Sequence, residues 1–173
     1  MAQRPLIDAL GEYIESQGIA RSVAYYQDAA PESAEPGQIW ADTSSEPYAY
    51  HSWDGAKWAP LGPQDAVLQV SFLDAEPVTV VAVLDSGGWE PEIDWPKDQP
   101  TCQVRTRARD YATAHDLAWA VHDLLHAKSG LPLGPDFRVL FSNAMQAPMH
   151  IGRNAEGHSE FSVNFEFQLV RLG

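Results

Sequence analysis

Apolar residues recur with the period of an α-helix in two segments of the chain. In residues 4–17 they fall on one helical face, and Gly18 supplies a stop just beyond them. A second helix is predicted from about residue 111 to 128, because Asp110 is a suitable N-cap and an apolar stripe follows it. The sequence therefore predicts two main helices.

Most other apolar residues alternate with polar ones or form short β-branched runs, which are patterns typical of strands. In residues 160–172 the alternation is regular, so one face of that strand is expected to be buried and the other polar. The order of the elements predicts an α+β fold, with a mixed, largely antiparallel sheet flanked by the two main helices. Further strands are predicted at 22–26, 67–72, 78–84, 101–109 and 137–142.

Residues 29–63 differ in composition from the rest of the chain, since they hold five prolines and three of the six tryptophans. Three short strands are predicted there, and Asp54-Gly55 is a tight-turn signal between the second and the third. We interpret this segment as a small β-meander inserted into a larger domain. Residues 1–28 and 64–173 would then form the α+β domain.

The chain is strongly acidic, with 24 Asp and Glu residues against 11 Lys and Arg. This excess makes a broad DNA-gripping surface improbable, although it does not exclude DNA that passes through a ring. A run of 18 apolar residues and the apolar core of a signal peptide are both lacking in the sequence. We therefore expect that the chain does not span a membrane and that it is synthesised in a cytoplasm.

Two histidines one helical turn apart, His122 and His126, are the first candidate for chemistry. This spacing places both imidazoles on one helical face, where they can share a metal ion. However, Asp123 stands where a zinc protease has its glutamate base, and a solvated helix end explains the pair more simply. The possible third ligands, none at a diagnostic spacing, are His115, His150 and His158.

Two further motifs have simple structural explanations. The run Asp85-Ser86-Gly87-Gly88 resembles the nucleophile loop of chymotrypsin-like proteases, but the chain is too short for their double barrel. A glycine turn after a buried strand accounts for this run. Cys102 is either a catalytic thiolate or a small buried apolar residue, and its place in a strand favours burial. We predict no catalytic residue, no metal and no cofactor.

Three arginines and three tryptophans are candidates for binding. Arg105, Arg107 and Arg109 share one face of a predicted strand with Gln103. Such a row suits phosphate, solvent or a partner protein, and we favour the partner because the chain is acidic. The tryptophans of residues 29–63 either stack on sugars or form the core of the insert, and we favour the core. These are Trp40, Trp53 and Trp58.

Several segments resemble, in order and spacing, the tail terminator (minor capsid) proteins of long-tailed bacteriophages. Gly87-Gly88 precedes a stretch with the sequence QPTCQVRTRARDYATA, and a later stretch has the sequence APMHIGRNAEGH. The resemblance covers about residues 4–28 and 67–172, with Asn154 where the family has aspartate. In the insert, GQIWADT and WDGAKW resemble an aromatic module of phage tail and fibre proteins.

This resemblance implies a structural virion protein at the head-proximal end of the tail, assembled in the host cytoplasm. It would form a ring, of six subunits in related phages, that caps the tail tube and stops its polymerisation. Its partners would be copies of itself, the major tail tube protein and a head-completion (neck) protein, with DNA passing through the lumen without specific binding. The residues expected at protein interfaces are Arg105, Arg107, Arg109, Trp89, Trp95, Gly152 and Asn154, with Trp40, Trp53 and Trp58 on the insert surface.

Three alternatives remain beside this interpretation. The first is another neck or tail-completion protein. The second is a carbohydrate-binding accessory tail protein that acts through the insert. The third is a metal-dependent hydrolase that uses His122 and His126.

Overall fold

Two β-sheets dominate the computed structural model, which describes residues 4–88 and 97–172. Strands hold 42% of the described residues and helices only 16%. The helices are α1 (Leu6–Ser16) and α2 (Tyr111–Leu125), and the strands are β1 (Val23–Gln27), β2 (Ile39–Asp42), β3 (Ala49–Trp53), β4 (Trp58–Pro60), β5 (Val67–Val70), β6 (Val80–Gly88), β7 (Pro100–Ala108), β8 (Phe137–Ala144), β9 (Met149–Arg153) and β10 (Ser159–Arg171).

The predicted α+β class is wrong, because the protein is predominantly β. Its two helices are short, with 11 and 15 residues, and each serves as a cover for part of one sheet. The second helix ends at Leu125 and does not continue to residue 128, since His126 has extended backbone angles (φ −72°, ψ 134°). The prediction treated the two helices as a full layer beside the sheet, whereas strands hold more than twice as many of the described residues as helices do.

The main sheet has the strand order β5-β6-β7-β10-β8, and β9 pairs with the first part of β10. Only the β5–β6 pair is parallel, and the other pairs are antiparallel. Strand β10 is long enough to pair with three strands, because its first half lies between β7 and β9 and its second half bonds β8. Strand β10 is therefore the central strand of this part of the main sheet.

Both helices pack on one face of the main sheet and bury the core. Alternate residues of β10 point into this core, where Phe161, Phe165 and Phe167 are at most 2% exposed. Each buried phenylalanine contributes about 2 kcal/mol of hydrophobic stabilisation. Small residues on α2, Ala114 and Ala118, are fully buried and let the helix approach the sheet closely. The N-terminus of α2 is capped as predicted by Asp110, whose side chain accepts from the Thr113 N–H.

Strand β6 continues through the run in which the sequence predicted a turn. Residues Val80–Gly88 pair with β7 and contain a bulge between Asp85 and Gly88. A Cβ at Gly88 would lie 2.7 Å from the carbonyl oxygen of Gln99, so only glycine fits this close approach. The two glycines thus belong to an irregular strand end.

The small sheet contains all three strands predicted in residues 29–63, and a fourth from outside that range. Strands β2, β3 and β4 form consecutive antiparallel hairpins. Strand β1, which lies within residues 1–28, pairs with β2 in parallel. The Asp54-Gly55 turn is confirmed, since the Asp54 side chain accepts from the backbone N–H groups of Ala56 and Lys57.

The chain leaves and re-enters the main sheet at one place. The Arg21 N–H donates to the Ala66 carbonyl, and the Leu68 N–H donates to the Arg21 carbonyl. Arg21 therefore pairs with the outer edge of β5. The small sheet is formed by the chain between Arg21 and Ala66, which are hydrogen-bonded to each other. Among the described residues, no helix is long and apolar enough to cross a membrane.

Deletion of residues 23–62, with a short glycine–serine link in their place, is expected to leave the main sheet folded. The two ends already lie side by side, and a change in loop length costs only about 0.6 kcal/mol per doubling. Thermal unfolding followed by circular dichroism measures the outcome. We expect one cooperative transition; its loss would mean that the small sheet is part of the main folding unit.

Candidate functional site

One face of the main sheet is left open over β7, β10, β8 and β9, because both described helices pack on the other face. Polar side chains line it, and they are paired across the strands. Gln103 Nε2 donates to Asn164 Oδ1 at 3.1 Å, and Asn143 Nδ2 donates to Glu166 Oε1 at 3.3 Å. We call this surface the open sheet face, made of Thr101, Gln103, Arg105, Asn143, Asn164 and Glu166.

Large apolar side chains surround the open sheet face. Phe141 is 40% exposed, Met145 is 51% exposed and Met149 is 54% exposed. Met145 also lines a shallow groove of about 430 Å³ with Gln103 and Asn164. A polar centre with adaptable methionines and an aromatic ring beside it is typical of a surface that contacts protein.

The three candidate arginines have different environments. Arg107 is only 3% exposed, and its guanidinium donates to the backbone carbonyls of Asp74, Ala75, Pro77 and Val78. This burial lowers the pKa of Arg107. The guanidinium therefore fastens the 74–78 segment to the main sheet, which the sequence did not reveal.

Gln69 makes a second attachment for the same segment. Its side chain donates to the Glu76 carbonyl and accepts from the Asp74 N–H. Beside Gln69 and Arg107 on the sheet, Ala82 and Val80 are fully buried. Toward β5 and β6 the non-helical face of the sheet is therefore covered, which limits the open sheet face to the other strands.

Arg105 and Arg109 lie closer to solvent than Arg107. Arg105 is half-buried on the open sheet face, and its Nε atom has no hydrogen-bond partner among the described residues. Arg109 is exposed and lines a groove of about 450 Å³ together with Tyr48, Tyr50 and Pro77. Burial raises the pKa of Tyr50 to about 12, so this hydroxyl stays a neutral donor near pH 7.

Two other interface candidates build a turn. Asn154 Oδ1 accepts from the His158 N–H at 2.9 Å, and the Asn154 N–H donates to the His158 carbonyl at 3.0 Å. Gly152 lies in β9 with a φ of +117°, beside a bulge at Ile151 of the same strand. These residues shape the link between β9 and β10. Trp89 and Trp95 lie outside the described residues.

The tryptophans of the small sheet pack on one another. Trp58 makes edge-to-face contacts with Trp40 and Trp53, at centroid distances of 5.8 and 5.3 Å. The indole N–H of Trp40 donates to the Gln27 carbonyl, and that of Trp58 donates to the Pro31 carbonyl. The rings are occupied with each other and with the backbone, which supports their interpretation as a small core.

A stripe of aromatic rings along α2 was missed by the sequence analysis. Tyr111, His115, Trp119, His122 and His126 are spaced by four or three residues and contact one another in sequence order. This is helical spacing, so the periodicity of aromatic residues alone would have revealed the stripe. On β9, His150 contacts Tyr111 and thereby links the stripe to the sheet.

The geometry of the histidine pair disfavours a shared metal. The His122 and His126 rings are stacked with centroids 4.6 Å apart, and the Ala144 N–H donates to His126 Nδ1. Because Nδ1 of His126 accepts this hydrogen bond, the proton of the neutral ring is on Nε2. Neither ring nitrogen then has a free lone pair for a metal ion. Within the described residues, no group of three or more His, Cys, Asp or Glu side chains can hold a metal ion.

The remaining nucleophiles also have structural partners. Ser86 Oγ forms a hydrogen bond with Thr101 Oγ1 at 3.0 Å, where a hydrolase serine would face a histidine. Cys102 is fully buried, and this burial raises the pKa of its thiol. A thiol held in this state is a poor nucleophile.

Comparison with known protein families gives one match. The family described as Bacteriophage tail terminator protein matches residues 51–171. This range runs from β3 to the last residue of β10, and so includes the main sheet and α2. No curated protein matches the chain.

Replacement of Arg107 by methionine is expected to destabilise the protein by about 3 kcal/mol, because four carbonyls lose a charged donor. Urea unfolding of the isolated chain measures this loss. Arg109→Met is the matched control, and it should change the free energy of unfolding by less than about 0.5 kcal/mol. Equal losses in the two variants would contradict the structural role of Arg107.

We also expect no stoichiometric transition metal in protein purified without an affinity tag. The physical reason is the His126 tautomer, which is fixed by the Ala144 N–H. Elemental analysis checks this expectation. It would be wrong if zinc were bound at one ion per chain and were lost, together with assembly, in the His122→Ala variant.

Proposed function

Because the chain belongs to the bacteriophage tail terminator family, a family of structural tail proteins, we propose that it caps the tail tube as a closed ring. The family match over residues 51–171 is the observation that carries this proposal. In the proposed role, the ring sits on the last ring of the tube, stops its polymerisation and offers its other side to a head-completion protein. Its position would be the head-proximal end of the virion tail.

The form of the main sheet supports this role. A ring of identical subunits needs two different surfaces on each chain that meet around a rotation axis. A ring that also binds the tube and a neck protein needs further surfaces on its two sides. The open sheet face, with its polar centre and its exposed Phe141, Met145 and Met149, is one such surface.

We assign Arg105 and Arg109 to contacts with the tube or with a neighbouring subunit. Arg105 lies on the open sheet face, and its Nε atom lacks a partner within the described residues. Arg109 lines a groove beside Tyr48 and Tyr50, where polar groups of another chain would find a cation and hydroxyl groups, and Asp65 and Glu76 line the same groove. Guanidinium groups in such positions are typical of protein interfaces.

The charge of the chain suits a channel through which DNA passes. A formal net charge of −13 repels phosphate, so a lumen lined by these subunits would not retain DNA. Six subunits, as in the phages that the sequence resembles, would multiply this repulsion. The proposed partners are thus other copies of the chain, the major tail tube protein and a neck protein.

Phage assembled without this protein should carry abnormally long tails, because nothing would then stop growth of the tube. Electron microscopy of lysates from a deletion phage measures the length distribution, and complementation from a plasmid restores it. Tails of normal length that join heads normally would refute the terminator role.

Charge reversal at Arg105 and Arg109 together should weaken assembly and leave the monomer folded. Each site is expected to contribute roughly 1 kcal/mol to an interface contact, which predicts about a tenfold or greater loss. Analytical ultracentrifugation and binding to purified tail tubes measure the effect. If assembly is unchanged and only DNA ejection suffers, the arginines face the lumen.

A further inference from the structure

Charge is distributed unevenly along this acidic chain. Residues 124–155 carry the three cations Lys128, Arg138 and Arg153 against the single carboxylate of Asp136, and the carboxylates of Asp123 and Glu156 flank this stretch. Residues 23–62, which form the small sheet and its loops, carry six carboxylates against the single cation Lys57. One part of the chain is thus cationic within a protein of net charge −13.

These two parts lie at opposite edges of the main sheet. Strands β8 and β9 both pair with β10 and form one edge, and the Lys128 backbone bonds Ser142 at the outer side of β8. Strand β5 forms the other edge, and the small sheet begins and ends there at Arg21 and Ala66. The two regions are therefore attached to opposite edges of the main sheet within one chain.

The cationic edge is exposed and partly apolar. Lys128, Arg138 and Arg153 are all exposed, and none has an ion pair among the described residues. Met149 is 54% exposed in β9, whose outer backbone edge has no strand partner in the described chain. Cations that lack an ion pair, next to apolar area and a free strand edge, make a surface that a second chain can cover.

Three of the six carboxylates in the acidic region lie at one end of the small sheet. Asp28 follows β1, Asp42 is the last residue of β2, Glu46 lies beyond it, and these two strands are parallel. Parallel strands end on the same side, and the Thr43 N–H indeed bonds the Gln27 carbonyl there. At this acidic end, Asp28 and Glu46 are exposed, and neither has an ion pair within the described residues.

We infer that the cationic edge of one subunit, formed by β8, β9 and Lys128, packs against the acidic end of the small sheet of the next subunit. This inference rests on the proposed ring and specifies its lateral contact. The two surfaces are complementary in charge, whereas each repels a copy of itself. Association must therefore be head to tail, which is the geometry that generates a ring when the rotation closes.

Two double charge reversals and their combination test this contact in the full-length chain. Lys128→Glu with Arg138→Glu reverses the cationic edge, and Asp28→Lys with Glu46→Lys reverses the acidic end. Each variant should assemble about tenfold more weakly or worse, since attraction at two positions becomes repulsion. The chain that carries all four changes should regain assembly, because both surfaces then have reversed but complementary charge.

The matched control reverses a carboxylate elsewhere, Asp116 in the first half of α2, whose side chain is 81% exposed. This control should assemble like the unmodified chain. Sedimentation velocity gives the ring fraction, and circular dichroism verifies that each variant folds. Neutral variants, Lys128→Ala with Arg138→Ala, should weaken assembly less than the reversal, which provides a second measurement should a reversal fail to fold.

The outcomes separate the lateral contact from the ring. If the unmodified chain forms no closed ring, alone or on purified tail tubes, the proposed function fails and this contact fails with it. If it forms rings and either reversal assembles normally, the ring stands and this contact is wrong. Failure of the fourfold variant to regain assembly would likewise overturn the pairing of these two surfaces.

Discussion

The alternation of side chains along β10 is the constraint on which the rest of the structure depends. One set of its residues, including Phe161 and Val163, fills the core beneath both helices, and the other set faces away from them. The same strand bonds β7, β8 and β9, so its register fixes three neighbours at once. A slip of one residue would place phenylalanine rings on the open sheet face and polar groups in the core. Core and contact surface are therefore set by one sequence pattern.

Few cations in this acidic chain are left exposed for contact with another chain, so each of them is a stronger candidate for an interface. Arg107 is used inside the fold, where it fastens the 74–78 segment by its carbonyls. Arg4 is paired with Glu12, and Arg171 with Asp98. The exposed cations that remain include Arg109, Lys128 and Arg138. Since the surrounding surface is negative, each position where such a cation is left exposed is a candidate for contact with another acidic chain.

Local patterns predicted the elements better than their arrangement. The periodicity of 160–172 and the cap at Asp110 gave correct elements, because both depend on neighbouring residues. The position of β1 in the small sheet depends on pairing with a strand more than ten residues away, and no local pattern encodes it. The burial of Arg107 was hidden for the same reason, since an arginine in a strand looks like any exposed one until the 74–78 segment folds over it. The predicted fold class was wrong because the two helices, whose periodicity is clear in the sequence, were given too much importance relative to the many short strands.

The methionines beside the open sheet face have a chemical consequence. Met145 and Met149 are more than half exposed in the single chain, and peroxide converts such thioethers to polar sulfoxides. A chain oxidised before assembly would present a polar, bulkier border where an apolar one is needed. Once a partner covers the same side chains, they are shielded from the oxidant. Their oxidation state thus records, in a form that mass spectrometry reads residue by residue, whether this surface was covered.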